Sequence, residues 1–450
     1  MSQIQVTEAF IEDVKDWIGR KLYANIVSSF HRLYPADIAE LFEDLNLQQC
    51  KYCIDLLDSE KAVEVLAELD QDKRKAILVA YSAKEIATRF IENLNSDDAV
   101  DILNELPANF SEEIIGNVSD LEYSFQLVSL LKHDEDTAGG LMAKELIKVN
   151  LNWNLSQCTE EIRKQAENVT RVNDIYVVDG NDILLGIVPL KKILLEREQT
   201  KVSQIYESNI LSANVNTRAE EVALMMSKYN LEALPIVDNI KRLVGLVTID
   251  DVIDFVKEET DKDYQLLSGI SENVESTDRV WVLSRARLPW LIIGLGGGLL
   301  NSVVIKGFEG QLNANLQLAL FMPLVAAMGG NAGVQSSSII VQGLANDSLD
   351  TKNFLPRLGK EFMVALLNGI ICSGLLLLYG IMIGNQMDIA KVVSIALLSV
   401  IIFASVVGTL IPLILDKFKI DPALATGPFI TTTNDLVGLF LYFTIAKTML

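Results

Sequence analysis

The sequence predicts a multidomain membrane protein with four parts. These are an all-α N domain of stacked helical repeats (1–135), an α/β tandem repeat (136–260), a connecting helix (261–284) and an all-α membrane domain of five transmembrane helices (285–450). Three observations predict it. Long uncharged runs crowd the last third of the chain, each near the 20 or so residues that a helix needs to cross a bilayer. Two landmarks in the middle third, Asp179 to Asp238 and Gly186 to Gly245, recur at the same offset of 59 residues. The charge is also split: Ser284–Leu450 holds 10 of the 38 basic and 8 of the 60 acidic residues, so residues 1–283 carry a formal charge of −24. A front part this acidic excludes nucleic acid and anionic membrane surfaces as partners and favours cations.

The N-terminal part has no basic-then-apolar leader and no apolar run long enough to anchor it before Thr200, so it is expected in the cytosol. Ile11, Val14, Trp17, Ile18, Leu22 and Ile26 form one apolar stripe, read as a single extra helix within Glu8 to Tyr34. From Leu33 to Leu131 short amphipathic patterns recur, such as Leu41-Phe42-x-x-Leu45 and Ile102-Leu103-x-x-Leu106, as in a stack of short helices. Cys50 and Cys53 are the only cysteines close in sequence, and a zinc site wants about four ligands, so they read as core. Asp97, Asp98 and Asp101 stand at a predicted helix start. The helix dipole alone accounts for acids there, and contact with a cation is the second reading.

In the tandem repeat, Ile175-Tyr-Val-Val-Asp179 with Leu185-Gly-Ile-Val188 is matched by Leu234-Pro-Ile-Val-Asp238 with Val244-Gly-Leu-Val247. Each unit reads as strand, polar turn, strand and helix. The pattern resembles a pair of CBS domains. That resemblance implies an adenine-nucleotide site (ATP) at Thr248 and Asp251, three and six residues after Gly245, while Pro189 and Lys192 stand at the corresponding places of the first repeat. A strand-to-helix cap by Thr248 or Asp250 is the simpler alternative.

Seven acids follow within 14 residues: Asp250, Asp251, Asp254, Glu258, Glu259, Asp261 and Asp263. Asp250, Asp254, Glu258 and Asp261 share one helical face, where like charges cost roughly 0.2–0.5 kcal/mol per pair and divalent cations would relieve them. A solvated acidic face is the plain alternative. The position of this helix, just ahead of the first span, favours a link to the membrane domain.

Uncharged stretches mark five spans: Leu288–Ile305, Gly310–Asn346, Phe362–Met387, Val392–Leu415 and Pro422–Ala446, the last interrupted only by Asp435. The second is too long for one straight span and reads as a helix leading into a broken or polar-lined extension around Gly329–Ser338. Basic residues Arg285, Arg287, Lys352, Arg357, Lys360, Lys417 and Lys419 fall on one side, which places the N-terminal domains in the cytosol and the C-terminus outside. A carboxylate in hydrocarbon is a functional-site candidate by default. Asp435 lies on a small polar face with Gly427 and Thr431, near Asn434 and Gly438, and Pro428 is read as freeing a backbone carbonyl. Gly329, Gly330, Asn331 and Gly333 supply neutral oxygens and close approach, or simply pack helices. Mg²⁺ keeps several waters and few carboxylates, which this donor set suits. No nucleophile–base pair, phosphate loop or hydrolase motif argues for an enzyme.

Together these pieces resemble an MgtE-type magnesium channel. The residues that carry the resemblance are His31-Arg-Leu-Tyr-Pro-Ala-Asp37, Thr137-Ala-Gly-Gly-Leu-Met142, Gly329-Gly-Asn-Ala-Gly333, Asp421-Pro-Ala423, Gly427-Pro428 and Asp435. The resemblance implies a homodimer in the cytoplasmic membrane, with a pore between protomers lined by the second and fifth spans. It implies that Asp435 holds hydrated Mg²⁺, and that cytosolic Mg²⁺ closes the gate by linking Asp97, Asp98 or Asp101 to Asp250, Asp251, Asp254, Glu258 and Glu259, with Asp421 at the pore mouth. Transport of Co²⁺ or Mn²⁺, and a membrane-anchored sensor that transports nothing, are the alternatives.

Overall fold

The computed structural model describes residues 6–166, 169, 172, 174–271, 274, 279–345, 354–383, 387–425 and 427–450. The chain forms two compact units, Met1–Val256 and Lys257–Leu450. Lys352 and residues 272–273 and 275–278 of the expected connecting helix lie outside the described residues.

The first unit opens with short helices, from Glu8–Gly19 to Leu121–Leu130, none longer than 12 residues. Their starts are written in the sequence: Thr7, Asn46, Asp58, Ser82 and Asp120 each accept a hydrogen bond from an amide in the turn they open. Helices this short are marginal alone and depend on the shared core, in which Phe30, Leu41, Phe42, Leu66, Ile86 and Phe90 are fully buried. Cys50 and Cys53 belong to that core, and burial pushes their thiols up to about 11 and about 12. The single N-terminal helix expected from the apolar stripe is two helices, Glu8–Gly19 and Tyr23–Phe30. Lys21 adopts a left-handed φ of 55°, and the Leu22 amide donates to the Trp17 carbonyl at 2.8 Å, which closes the first helix. Periodicity carried across this break because the two helices present apolar faces to one core.

Two three-stranded sheets follow, β1 (Ile147–Asn150), β2 (Ile175–Val178) and β3 (Leu184–Val188), then β4 (Ala213–Asn214), β5 (Ala233–Val237) and β6 (Leu243–Thr248). In each, a parallel pair precedes an antiparallel one, in the orders β1-β2-β3 and β4-β5-β6. The antiparallel register slips after Val177 in one sheet and after Ile236 in the other, so even the irregularity repeats. The repeated glycines are demanded by close approach: a Cβ on Gly245 would stand 2.7 Å from the Ala143 carbonyl, and one on Gly186 would run into the Glu207 carbonyl. The helical segment and the second sheet share one apolar core, which holds Leu103 and Leu234 alike.

Between the units runs the helix Ile249–Leu267. It stops well short of the end of the stretch expected as a connecting helix, at Gly269, whose φ of +77° is outside any helix. The chain then anchors on the first span, where Ser271 donates its amide (3.0 Å) and hydroxyl (2.9 Å) to the Ala286 carbonyl.

Five helices are long and apolar enough to cross a membrane: Val280–Gly307, Gln317–Ala345, Phe354–Met382, Met387–Lys417 and Pro428–Met449, here the first to fifth spans. The expected break in the second span is absent. Residues 329–338 are continuous helix, and the interruption comes earlier, between a short helix Glu309–Ala314 and Gln317. At 29 residues the second span is about 43 Å long, so it overhangs a core of about 30 Å rather than breaking. The fourth span is the axle, buried along its length from Ile389 to Pro412, with the second, third and fifth packed on it and the first on the fifth.

Candidate metal sites

The membrane site is built on the fifth span. Its helix begins at Pro428, in the first-turn position that proline favours, with Gly427 as the cap residue. Pro428 therefore frees no carbonyl inside the helix, contrary to the sequence expectation. Asp435 lies seven residues on, about 10 Å along the helix, half-buried and without an ion pair among the described residues. Its near neighbour is the second span: a Cβ on Gly330 would lie 3.9 Å from Asp435 Oδ1 and 3.9 Å from the Thr431 methyl. Gly330, Thr431 and Asp435 thus meet where the second and fifth spans pack together.

The other residues expected to line the pore divide differently. Gly329 packs on Val400 of the fourth span, Gly333 packs on Asn434 and Gly408, and Asn434 is buried inside the protomer. Adjacent helical residues point about 100° apart, which turns Asn434 away from the face of Asp435. Asn331 is exposed. Gly427 faces the end of the acidic helix: a Cβ there would stand 3.0 Å from the Leu267 carbonyl, and one on Gly269 would stand 2.8 Å from the Pro428 ring. The segment that ends the acidic helix is therefore in direct contact with the start of the helix that carries Asp435.

The acidic cluster is built where the helix Ser96–Glu105 meets the tandem repeat. Ser96 fixes the meeting point, donating its amide (3.1 Å) and hydroxyl (2.7 Å) to Glu145 and accepting from the Lys144 amide at 2.8 Å. Asp97 and Asp98 are thereby set, half-buried, against Asp251. Burial, then the charge of Asp251, pushes Asp98 up to about 6 and Asp97 well above the usual carboxylate range. Asp251 is raised mainly by burial, against the opposing effect of its bonds from the Thr248 hydroxyl and amide. Asp101 is more exposed and adjoins Asp98, and Asp250 also acts on Asp98. Arg74 is the cation felt by Asp98, but its guanidinium is engaged by Glu105, with Nε 3.0 Å from Oε1.

Asp254 neighbours Asp251 on its own helix. Glu258 is exposed, and Glu259 pairs with Lys262 at 2.8 Å. Asp421 is exposed, with Oδ1 accepting from the Ala423 amide at 2.8 Å. Among the described residues no three His, Cys, Asp or Glu side chains converge closely enough to hold a bare ion.

Thr248 and Asp251 are bonded to each other as a helix cap. Neither lines the cavity of about 410 Å³ in the tandem repeat, which is bounded by Asp174, Tyr176, Glu207, Tyr229 and Pro235. The Tyr176 hydroxyl is buried there without a partner among the described residues. Two acids escaped the sequence reading. Glu145 has no sequence pattern to flag it. Glu361 accepts from the buried Ser336 at 2.6 Å, and its only signal was that it ends the uncharged run of the third span.

Comparison with known proteins finds matches to three segments of the chain. A family model described as a divalent cation transporter, MgtE, matches residues 322–445; the MgtE intracellular N domain matches 33–136, and CBS domains match 138–198 and 202–258. The magnesium transporter MgtE of Thermus thermophilus is 31% identical over 93% of both chains. That of Bacillus subtilis is 29% identical over 93% of this chain and 92% of its own. A crystal structure of the soluble part of a magnesium transporter superposes with a TM-score of 0.51 at 21% identity, covering 56% of this chain and 98% of the other.

Proposed function

Because the chain belongs to the MgtE family of magnesium transporters, we propose that it admits Mg²⁺ through the cytoplasmic membrane and is closed by Mg²⁺ in the cytosol. The observation that carries the reading is Asp435: a half-buried carboxylate within the fifth span, with no ion pair among the described residues, next to Gly330 of the second span. A hydrated divalent cation satisfies it through water, and the neutral Thr431 hydroxyl and backbone oxygens nearby add no charge that would trap the ion. The active form is a homodimer, with the path between the protomers and the positive-inside orientation given above.

Closure works through the acidic cluster. Without Mg²⁺, Asp97, Asp98, Asp101, Asp250 and Asp251 repel one another. With it, they and Asp254, Glu258 and Glu259 are drawn together, and the acidic helix transmits the change through Leu267 and Gly269 to Gly427 and Pro428. Asp421, next to this contact in sequence, adds a ligand at the pore mouth. The cavity at Tyr176 and Asp174 takes ATP as a second regulator, its volume suiting an adenosine moiety and Asp174 a ribose hydroxyl. This moves the nucleotide away from Thr248 and Asp251.

The test is Mg²⁺ entry into proteoliposomes, measured at low and millimolar Mg²⁺ on the cytosolic face, for wild type and Asp435→Ala, with Co²⁺ and Mn²⁺ run in parallel. Entry lost in the variant and suppressed by cytosolic Mg²⁺ is expected. Equal entry in both proteins removes Asp435 from the mechanism, and faster Co²⁺ or Mn²⁺ entry reassigns the substrate.

A further inference from the structure

Several hydroxyls on the spans return their proton to their own helix, as Ser302, Ser399 and Thr444 do to the carbonyls four residues back, at 2.7–3.1 Å. Ser337 and Thr409 do not. Both are wholly buried, and neither has a hydrogen-bond partner among the described residues. The same holds for Asn434, 1% exposed, whose Oδ1 and Nδ2 are both unpaired.

All three belong to the region where the second, fourth and fifth spans cross at Gly333. The Asn434 amide lies over Gly333, where a Cβ would overlap Nδ2 and stand 3.1 Å from Cγ, and Gly408 backs onto the Gly333 carbonyl. Thr409 follows Gly408, and Ser337 stands one turn beyond Gly333. We infer that the second, fourth and fifth spans enclose an internal hydration site here, one or two water molecules held by Asn434, Ser337 and Thr409 directly behind Asp435. A buried amide and two buried hydroxyls left bare are costly, and water at a polar site of this kind is the common remedy. Water fits better than a cation because Nδ2 can only donate, so the guest must accept as well as give protons.

The site has a task. Asn434 and Asp435 are adjacent, so whatever fixes the rotation of Asn434 fixes the direction in which Asp435 points. Asn434 is thus a positioning residue for the membrane site, acting through bound water. The inference about water stands on the unpaired groups alone, whereas its effect on flux rests on the transport reading.

Two measurements decide it. In cryo-microscopy of the full protein in nanodiscs, density for water within about 3.2 Å of at least two of the three side chains is expected. A dry crossing with Asn434 bonded to a helix carbonyl overturns the inference, whether or not the protein conducts. In proteoliposomes, the shape-preserving pair Thr409→Val and Ser337→Ala should reduce Mg²⁺ entry about five-fold, as the loss of one buried hydrogen bond would, with the melting temperature unchanged. Unchanged entry overturns the positioning role, and a melting temperature of the wild type that rises with Na⁺ but not with choline overturns water in favour of an ion.

Discussion

Replacing Asp98 by Asn tests the acidic cluster through its thermodynamics. Its pKa of about 6 stands roughly two units above the usual aspartate value, a difference of about 3 kcal/mol between the charged and neutral forms. A carboxyl raised in this way binds more protons folded than unfolded. Its contribution is therefore most favourable below about pH 4, declines as the pH rises towards 6, and stays unfavourable above. Asn cannot ionise, so the variant escapes the cost. The melting temperature of the first unit, followed by differential scanning fluorimetry without Mg²⁺, should exceed wild type by about 6–9 °C at pH 8 and differ little at pH 4. Millimolar Mg²⁺ at pH 8 should recover a comparable part of that gap for wild type and add less to the variant. A difference between variant and wild type that is flat from pH 4 to pH 8, or equal stabilisation of both by Mg²⁺, would refute the reasoning.

Other substitutions probe the joints of the molecule. Arg74→Leu leaves Glu105, 8% exposed, without its cation, and should cost about 3–5 kcal/mol, read as a fall in melting temperature of about 10 °C. Gly269→Ala places a side chain at φ +77° and against Pro428, so about tenfold more cytosolic Mg²⁺ should be needed to halve the flux, while the open-state rate is preserved. Gly408→Ala drives a methyl into the Gly333 carbonyl and should destabilise the membrane domain by about 1–3 kcal/mol, measured as earlier aggregation on heating in detergent.

Most of the architecture was legible because it rests on local signals. Apolar run length gave the five spans, the recurrence at 59 residues gave the two sheets, and short amphipathic patterns gave the N-terminal helices. Errors fell where a backbone conformation decides and side-chain type does not. Lys21 breaks a stripe that is uninterrupted in hydrophobicity, Gly269 ends a helix whose acidic pattern continues to Asp263, and Pro428 opens a helix that was read as passing through it. For the site, Asp435 announced itself by being charged among apolar neighbours. Asn434, one position away, was expected to line the same path, but it is buried inside the protomer, because which polar side chains pack inward is decided by neighbouring helices. Glu145 was invisible, since its meaning comes only from Ser96, 49 positions earlier.

The fourth span has a consequence for how the molecule is made. Its buried flank, from Ile389 to Pro412, is the surface on which the second, third and fifth spans assemble. During synthesis from the N-terminus, three spans must therefore enter the bilayer before their common partner exists. In that interval Gly329 and Gly333 lack the Val400 and Gly408 against which they pack. The N-terminal unit has by then already left the ribosome, so a stalled or truncated chain would carry it on a membrane domain that has no axle.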